Sequence, residues 1–396
     1  MNALASLFRM DTRLMIRCIP FGMDLVLSIY YLAAPLVLIG LGANPIELGL
    51  IGTLTAAVHM LTASLSGRLS DRVGRRPLIV LGPAIFLASG LLLAGANRIW
   101  AILALAAFNG LGLALFWPPF QAWIAERNTG AGLARDIGSF NMSWTASHLI
   151  GPVLSGWLYA RSPRLPFLVG AALALLCLLV IFTSVSDQPA QRRSEAEPRH
   201  AEDSDWKRRF LHAIWIGNFM SWFLLGNVRY QFPKLARELA FDPQGIGLLI
   251  GSLGFAQFVG FSLLRQTDRW HFHRAYFLGA QALAATGMLL ILSSSVPPLF
   301  AAAFFGVGLC SSLTYNSSLY YSVHLVTRKG KGAGIHETIV GCGALCGPLL
   351  GGIAAQYAGL RAPYILCAAL LGLAVGVELV LTRRGNTEGQ HVPSGT

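Results

Sequence analysis

Twelve stretches of roughly twenty mainly apolar residues run along this chain of 396 residues, and that is about the length a helix needs to cross a bilayer. They lie at 17–41, 46–66, 78–96, 99–122, 137–160, 165–185, 210–234, 244–264, 275–294, 297–320, 335–357 and 361–382. Charged residues make up only 12% of the chain, against about 25% in soluble domains, so water cannot be its only solvent. The 43 glycines fit this reading, because helices in lipid associate by close packing of small residues. Arg9, Arg13 and Arg17 precede a first apolar run longer than a signal-peptide core, which is expected to be a retained helix.

The connections are short except for 186–209, a charged segment with Pro189 and Pro198 that reads as a linker between 1–185 and 210–383, with a polar tail at 384–396. With the first residue inside, the outer loops hold only Arg98, Arg161, Arg164, Lys234, Arg237 and Arg361, while most other Lys and Arg fall in inner segments. The positive-inside rule therefore predicts a multi-pass protein of the inner (plasma) membrane with both termini cytoplasmic. The net charge of +12 does not imply nucleic acid, since the basic residues are scattered among these loops and form no aromatic-studded face.

A shift of 196 residues brings Gly110 and Gly112 onto Gly306 and Gly308, and Gly151, Pro152 and Gly156 onto Gly347, Pro348 and Gly352. One further residue aligns Asp71-Arg72 with Asp268-Arg269 and Arg164 with Arg361. Six spans per repeat is an even number, so both halves insert the same way and predict an all-α membrane fold of two pseudo-symmetric six-helix bundles.

Between spans 2 and 3 the chain reads Gly67-Arg68-Leu69-Ser70-Asp71-Arg72-Val73-Gly74-Arg75-Arg76-Pro77. This resembles the signature loop G-x-L-[AS]-D-[KR]-x-G-R-[KR] of the major facilitator superfamily. A basic loop alone would explain Arg72, Arg75 and Arg76 but not Gly67, Asp71 and Gly74 at these spacings. The resemblance implies secondary transport by alternating access, a gating role for this loop with Asp71 near the start of span 11, and a central cavity lined by spans 1, 4, 7 and 10.

Span 5 carries Gly138-x8-Ser147-x3-Gly151-Pro152-x2-Ser155-Gly156, similar to the pattern of drug-efflux members with two glycines replaced by serine. Span 11 has the full pattern, ending in Gly347-Pro348-x2-Gly351-Gly352, so both copies are expected to pack helices closely. In span 4 the efflux-type Arg is absent: the aligned residues are Ala106-x-x-Asn109-Gly110-x-Gly112. Any proton coupling must then use other groups.

An ionisable residue inside a span is costly and a functional candidate. Asp24 is the leading proton-coupling candidate, with an ion pair to Arg17 at i, i+7 as its structural alternative; Glu337 and His336 are the others. Arg229 either contacts substrate or another helix, or snorkels to the outer interface. His59 and His148 are expected in interhelical hydrogen bonds, and Glu126 and Glu378 are expected to be solvated or paired at inner helix ends. Asn109, Trp117 and Gln121 in span 4 are candidate cavity residues. His148, Trp222, Asn227 and Arg229, with Tyr315 and Asn316 in span 10, complete that set. Trp117-Pro118-Pro119 is expected to break span 4.

The six cysteines lie in apolar stretches, and Cys342 and Cys346 have no completing ligands, so no metal or cofactor is expected. No nucleophile–base set or phosphate loop suggests an enzyme. The expectation is a monomeric exporter of a small organic molecule coupled to protons and surrounded by membrane lipids; proton-coupled uptake of an organic anion or sugar is the alternative, and a non-transporting sensor a remote one.

Overall fold

The computed structural model describes residues 11–127, 130–185, 205–326 and 329–383. Most of the expected linker 186–209 and the expected tail 384–396 lie outside the described residues. Twelve long helices are present: α1 Thr12–Gly40, α2 Pro45–Val73, α3 Arg75–Gly95, α4 Ile99–Arg127, α5 Gly130–Tyr159, α6 Leu165–Ser184, α7 Asp205–Tyr230, α8 Pro243–Leu264, α9 Arg274–Ser293, α10 Pro297–Leu325, α11 Lys329–Ala358 and α12 Ala362–Leu381. Ten are long and apolar enough to cross a membrane; α5 and α7 are the two that are not. Both turn polar side chains such as His148 and Asn227 inward, so their low apolarity reflects an interior face.

Local chemistry starts these helices where the sequence allows. Asn44 accepts from Glu47 N at 3.0 Å while the Glu47 carboxylate accepts from Asn44 N at 2.8 Å, a reciprocal cap for α2. Asp242 caps α8 in the same place of the second half, accepting from Gly245 N at 2.8 Å. Between α2 and α3 the chain reverses at Gly74, whose φ of 94° is a conformation that side chains disfavour.

The packing follows the repeat. In the first half α1 packs on α5 and α6, α4 on α2 and α3, and α3 on α6. In the second half α7 packs on α11 and α12, α10 on α8 and α9, and α9 on α12. The same list therefore recurs six helices later. Two seams join the halves and obey the same rule: α2 against α11, and α8 against α5.

Three expectations about span geometry are corrected. Span 7 ends at Tyr230, because Pro233 cannot extend the ladder and instead opens a short helix, Phe232–Glu238. α4 is not broken by Pro118 and Pro119; it continues to Arg127, with Phe116 stacked on Phe120 at 5.1 Å along that stretch. At the end of the molecule that carries the Gly67–Pro77 loop, α2, α4, α5, α10 and α11 run several residues past the apolar spans, since backbone bonding can continue where side chains turn polar.

Candidate functional site

Between the halves lies a cavity of about 520 Å³. Ser64, Gly67, Gln121 and Gly334 line it toward the signature-loop end, and Asp24, His148 and Arg229 stand deep inside. Its walls are largely aromatic: Trp117, Phe140, Trp144, Trp222, Tyr31 and Tyr315.

At the opposite end the two seams are shut. Gly49 and Gly52 of α2 pack on Pro348 of α11, and Gly352 packs on the Pro45 carbonyl. Across the other seam Gly156 meets the Pro243 carbonyl, Gly247 meets that of Pro152, and Gly254 meets the His148 backbone. A side chain would strike backbone at each of these places except Gly52, where it would strike the Tyr230 ring and the Pro348 ring, and this explains the glycines. Gly151 and Gly347 serve within the halves, against Ser28 and Phe223. Hydrogen bonds to carbonyls reinforce the closure: Thr53 Oγ1 to Leu345 O at 3.1 Å, Gln231 Nε2 to Pro45 O at 3.1 Å, and Lys234 Nζ to Ala43 O at 2.9 Å.

The deep polar cluster has a readable proton register. The Ser311 hydroxyl donates to Gly308 O at 2.9 Å, so its oxygen accepts from Gln257 Nε2, also at 2.9 Å. Gln257 therefore turns its carbonyl oxygen to His148, and His148 Nδ1 donates to it at 2.9 Å. The other ring nitrogen, Nε2, stands 3.1 Å from an Asp24 carboxylate oxygen. With Nδ1 already protonated, a neutral ring would point a lone pair at a carboxylate. The contact closes only when one further proton lies between His148 and Asp24. Arg229 Nη2 is 3.3 and 3.4 Å from the two ring nitrogens, so it sits over the ring instead of in line with either, and its guanidinium lies 5.3 Å from the Tyr31 ring centre. This chain of contacts passes from α1 through α5 to α8 and α10, and so crosses between the halves.

Asp24, Trp117, Gln121, His148, Trp222, Arg229, Tyr315 and Glu337 all line the cavity. Trp222 Nε1 is buried with no hydrogen-bond partner among the described residues, and Glu337 faces the cavity with no ion pair among them. The remaining candidates lie elsewhere. Asn109 borders a minor pocket with Tyr30 and Thr55. Asn227 is fully buried and donates to Phe223 O at 3.0 Å and Gly347 O at 3.1 Å, fastening α7 to α11, where Gly351 packs on it. Asn316 is half-buried and not on the cavity wall. His336 is fully buried against Ser318 of α10 at 2.8 Å, because position 336 faces α10 while 337 faces the cavity.

Several pairings differ from expectation. Arg17 is exposed, and Asp24 has His148 as its partner instead. Arg229 does not snorkel outward. Glu378 is not solvated but fully buried. In the signature loop Asp71 is 59% exposed and pairs with Arg75 at 2.5 Å, while Arg75 also pairs with Glu126 at 2.7 Å. Arg72 is exposed, and Arg76 donates to Phe182 O at 2.8 Å. Among the described residues no ion pair joins Asp71 to α11, and Gly67 of α2 and Gly334 of α11 both line the cavity.

Tyr31, Trp144 and Gln257 were not singled out from sequence. Tyr31 follows Asp24 by seven residues and Trp144 precedes His148 by four, spacings that share a helix face and could have found both. Gln257 carried no such signal.

A family model described as Major Facilitator Superfamily matches residues 18–228 and 214–395. The chain is 22% identical over 347 residues to the quinolone resistance protein NorA of Staphylococcus aureus, covering 84% of this chain and 85% of that protein. It is likewise 22% identical over 343 residues to multidrug resistance protein 1 of Bacillus subtilis, covering 82% and 84%. Among solved structures, a bacterial homolog of the human lysosomal transporter Spinster, inward-facing and unoccupied, superposes with a TM-score of 0.75 at 15% identity over 97% of this chain and 98% of that one. The nucleoside transporter NupG gives 0.73 at 12% identity over 95% and 100%.

Proposed function

Because the chain belongs to the Major Facilitator Superfamily, with the twelve-helix fold of that family's transporters, we propose that it exports small amphipathic organic cations in exchange for protons by alternating access. The observation that carries this reading is the cavity between the halves, closed at one end by glycine seams and holding an Asp24–His148 pair whose contact needs a proton. Aromatic walls suit a flat apolar body, and Glu337, with no ion pair among the described residues, supplies an anion for a positive centre. The buried Trp222 Nε1 offers one donor for an acceptor on the substrate.

In this reading the signature-loop end is cytoplasmic, both termini are inside, and the inner (plasma) membrane holds the protein as a monomer among its lipids. The structure is then the inward-open state. The bundles 1–185 and 210–383 rock about the site, with 186–209 as the linker between them and 384–396 as the tail. Export places a cation and a proton in competition: protonation neutralises the deep carboxylate, and loss of the proton restores an anion that favours the cation. The similarity to NorA and multidrug resistance protein 1 supports efflux over uptake.

Purified protein in proteoliposomes with an imposed pH gradient tests this, using an aromatic cation, an aromatic anion and a sugar as probes. Gradient-driven movement of the cation alone is expected. Movement of the anion or sugar alone would replace the substrate assignment. No movement, or flux that ignores the gradient and is equal in Asp24→Asn, would end the coupling proposal.

A further inference from the structure

A second carboxyl lies in the helical interior away from the cavity. Glu378 of α12 and Gln281 of α9 are both 0% exposed, and Gln281 Nε2 donates to Glu378 Oε2 at 2.5 Å. The other oxygen of each, Glu378 Oε1 and Gln281 Oε1, is buried with no hydrogen-bond partner among the described residues. Two acceptor oxygens left over on two side chains already hydrogen-bonded to each other lack a proton between them.

Among the described residues no cation answers Glu378. Of the helices packed on α12, α9 contributes the neutral Gln281. At the start of α7 stand Lys207, Arg208 and Arg209, the last paired with Asp205, and its Arg229 is in the cavity. On α11, His336 turns to Ser318 and Glu337 to the cavity.

The repeat gives an independent argument. α6 and α12 are both 20 residues long, Leu165 to Ser184 and Ala362 to Leu381. Laid end on end, they set Ile181, itself 0% exposed, at the place of Glu378. The same slot in the fold is therefore built for an apolar side chain in one half. An ionised carboxylate with one amide for company does not suit that slot; a neutral acid does.

We propose that Glu378 is a resident proton-binding site: a neutral carboxylic acid whose O–H donates to Gln281 Oε1 while its carbonyl accepts from Gln281 Nε2. The ring of two hydrogen bonds satisfies both orphaned oxygens with one proton and fastens α9 to α12. This proton is not the transported one, because neither residue lines the cavity.

Infrared difference spectroscopy of the whole protein in lipid nanodiscs, wild type minus Glu378→Gln at neutral pH, tests this without any transport assay. The expected difference is one protonated-carboxyl C=O band present in wild type and absent in the variant, shifting in D2O. In Gln281→Leu that band should move to the higher frequency of an acid with fewer hydrogen bonds. A difference spectrum showing loss of carboxylate bands instead overturns the proposal. So does failure of Glu378→Gln to fold, since a neutral side chain of the same shape must be tolerated where the acid is neutral.

Discussion

The Nε2 atom of His148 faces an Asp24 carboxylate oxygen at 3.1 Å, so a residue of α5 and a residue of α1 are joined deep in the cavity. Gln257 holds the opposite side of the same ring from the other half of the molecule. The chain Asp24–His148–Gln257 thus spans both halves.

Asp24→Asn keeps the shape of the side chain and removes its charge. Gradient-driven transport is expected to fall by roughly tenfold or more, equivalent to about 1.4 kcal/mol, while exchange of substrate at equal pH continues. Parallel measurements of both fluxes in proteoliposomes decide it; equal loss of the two would make Asp24 a binding or folding residue instead.

Glu337 has a different task. Glu337→Gln is expected to weaken an aromatic cation by about tenfold and leave a neutral analogue of the same shape unchanged. Titration of intrinsic tryptophan fluorescence, which Trp117, Trp144 and Trp222 of the cavity report, gives both constants. Equal weakening of the two ligands would remove the charge assignment.

The glycine seams predict a shift of state. In Gly254→Val the new side chain meets the His148 backbone, so the shut seam cannot close. A cysteine introduced by Ile250→Cys should then react faster with an impermeant thiol reagent added from outside. Unchanged labelling would mean that this seam does not set the resting state.

Asn227 reads as a cavity amide in the sequence but acts as a fastener in the structure. Asn227→Ala is expected to cost about 1–3 kcal/mol, seen as a lowered Tm, with KM for transport unaltered. A raised KM at wild-type Tm would return Asn227 to the substrate site.

The architecture was legible because lipid leaves the backbone few choices, and apolar length with a six-span repeat records them directly. Gly67, Asp71 and Gly74 added the family, since backbone geometry such as the positive φ of Gly74 leaves a mark in residue type. The site was read less well. Asp24, His148 and Glu337 stand on the cavity wall because buried charge is conspicuous in any sequence. Amides are not: Asn109, Asn227 and Gln257 look alike in the chain, and only the direction of each helix face separates a pocket contact, a weld and a hydrogen-bond partner. The same holds for His336 and Glu337, adjacent in sequence and turned to different neighbours.

The two seams follow one backbone plan but differ in chemistry. Where α2 meets α11, small residues and a hydroxyl-to-carbonyl bond make the closure. Where α5 meets α8, a histidine reaches across to an amide. One seam is thus held by shape and carbonyl contacts, while the other also ties the halves together through an imidazole and an amide.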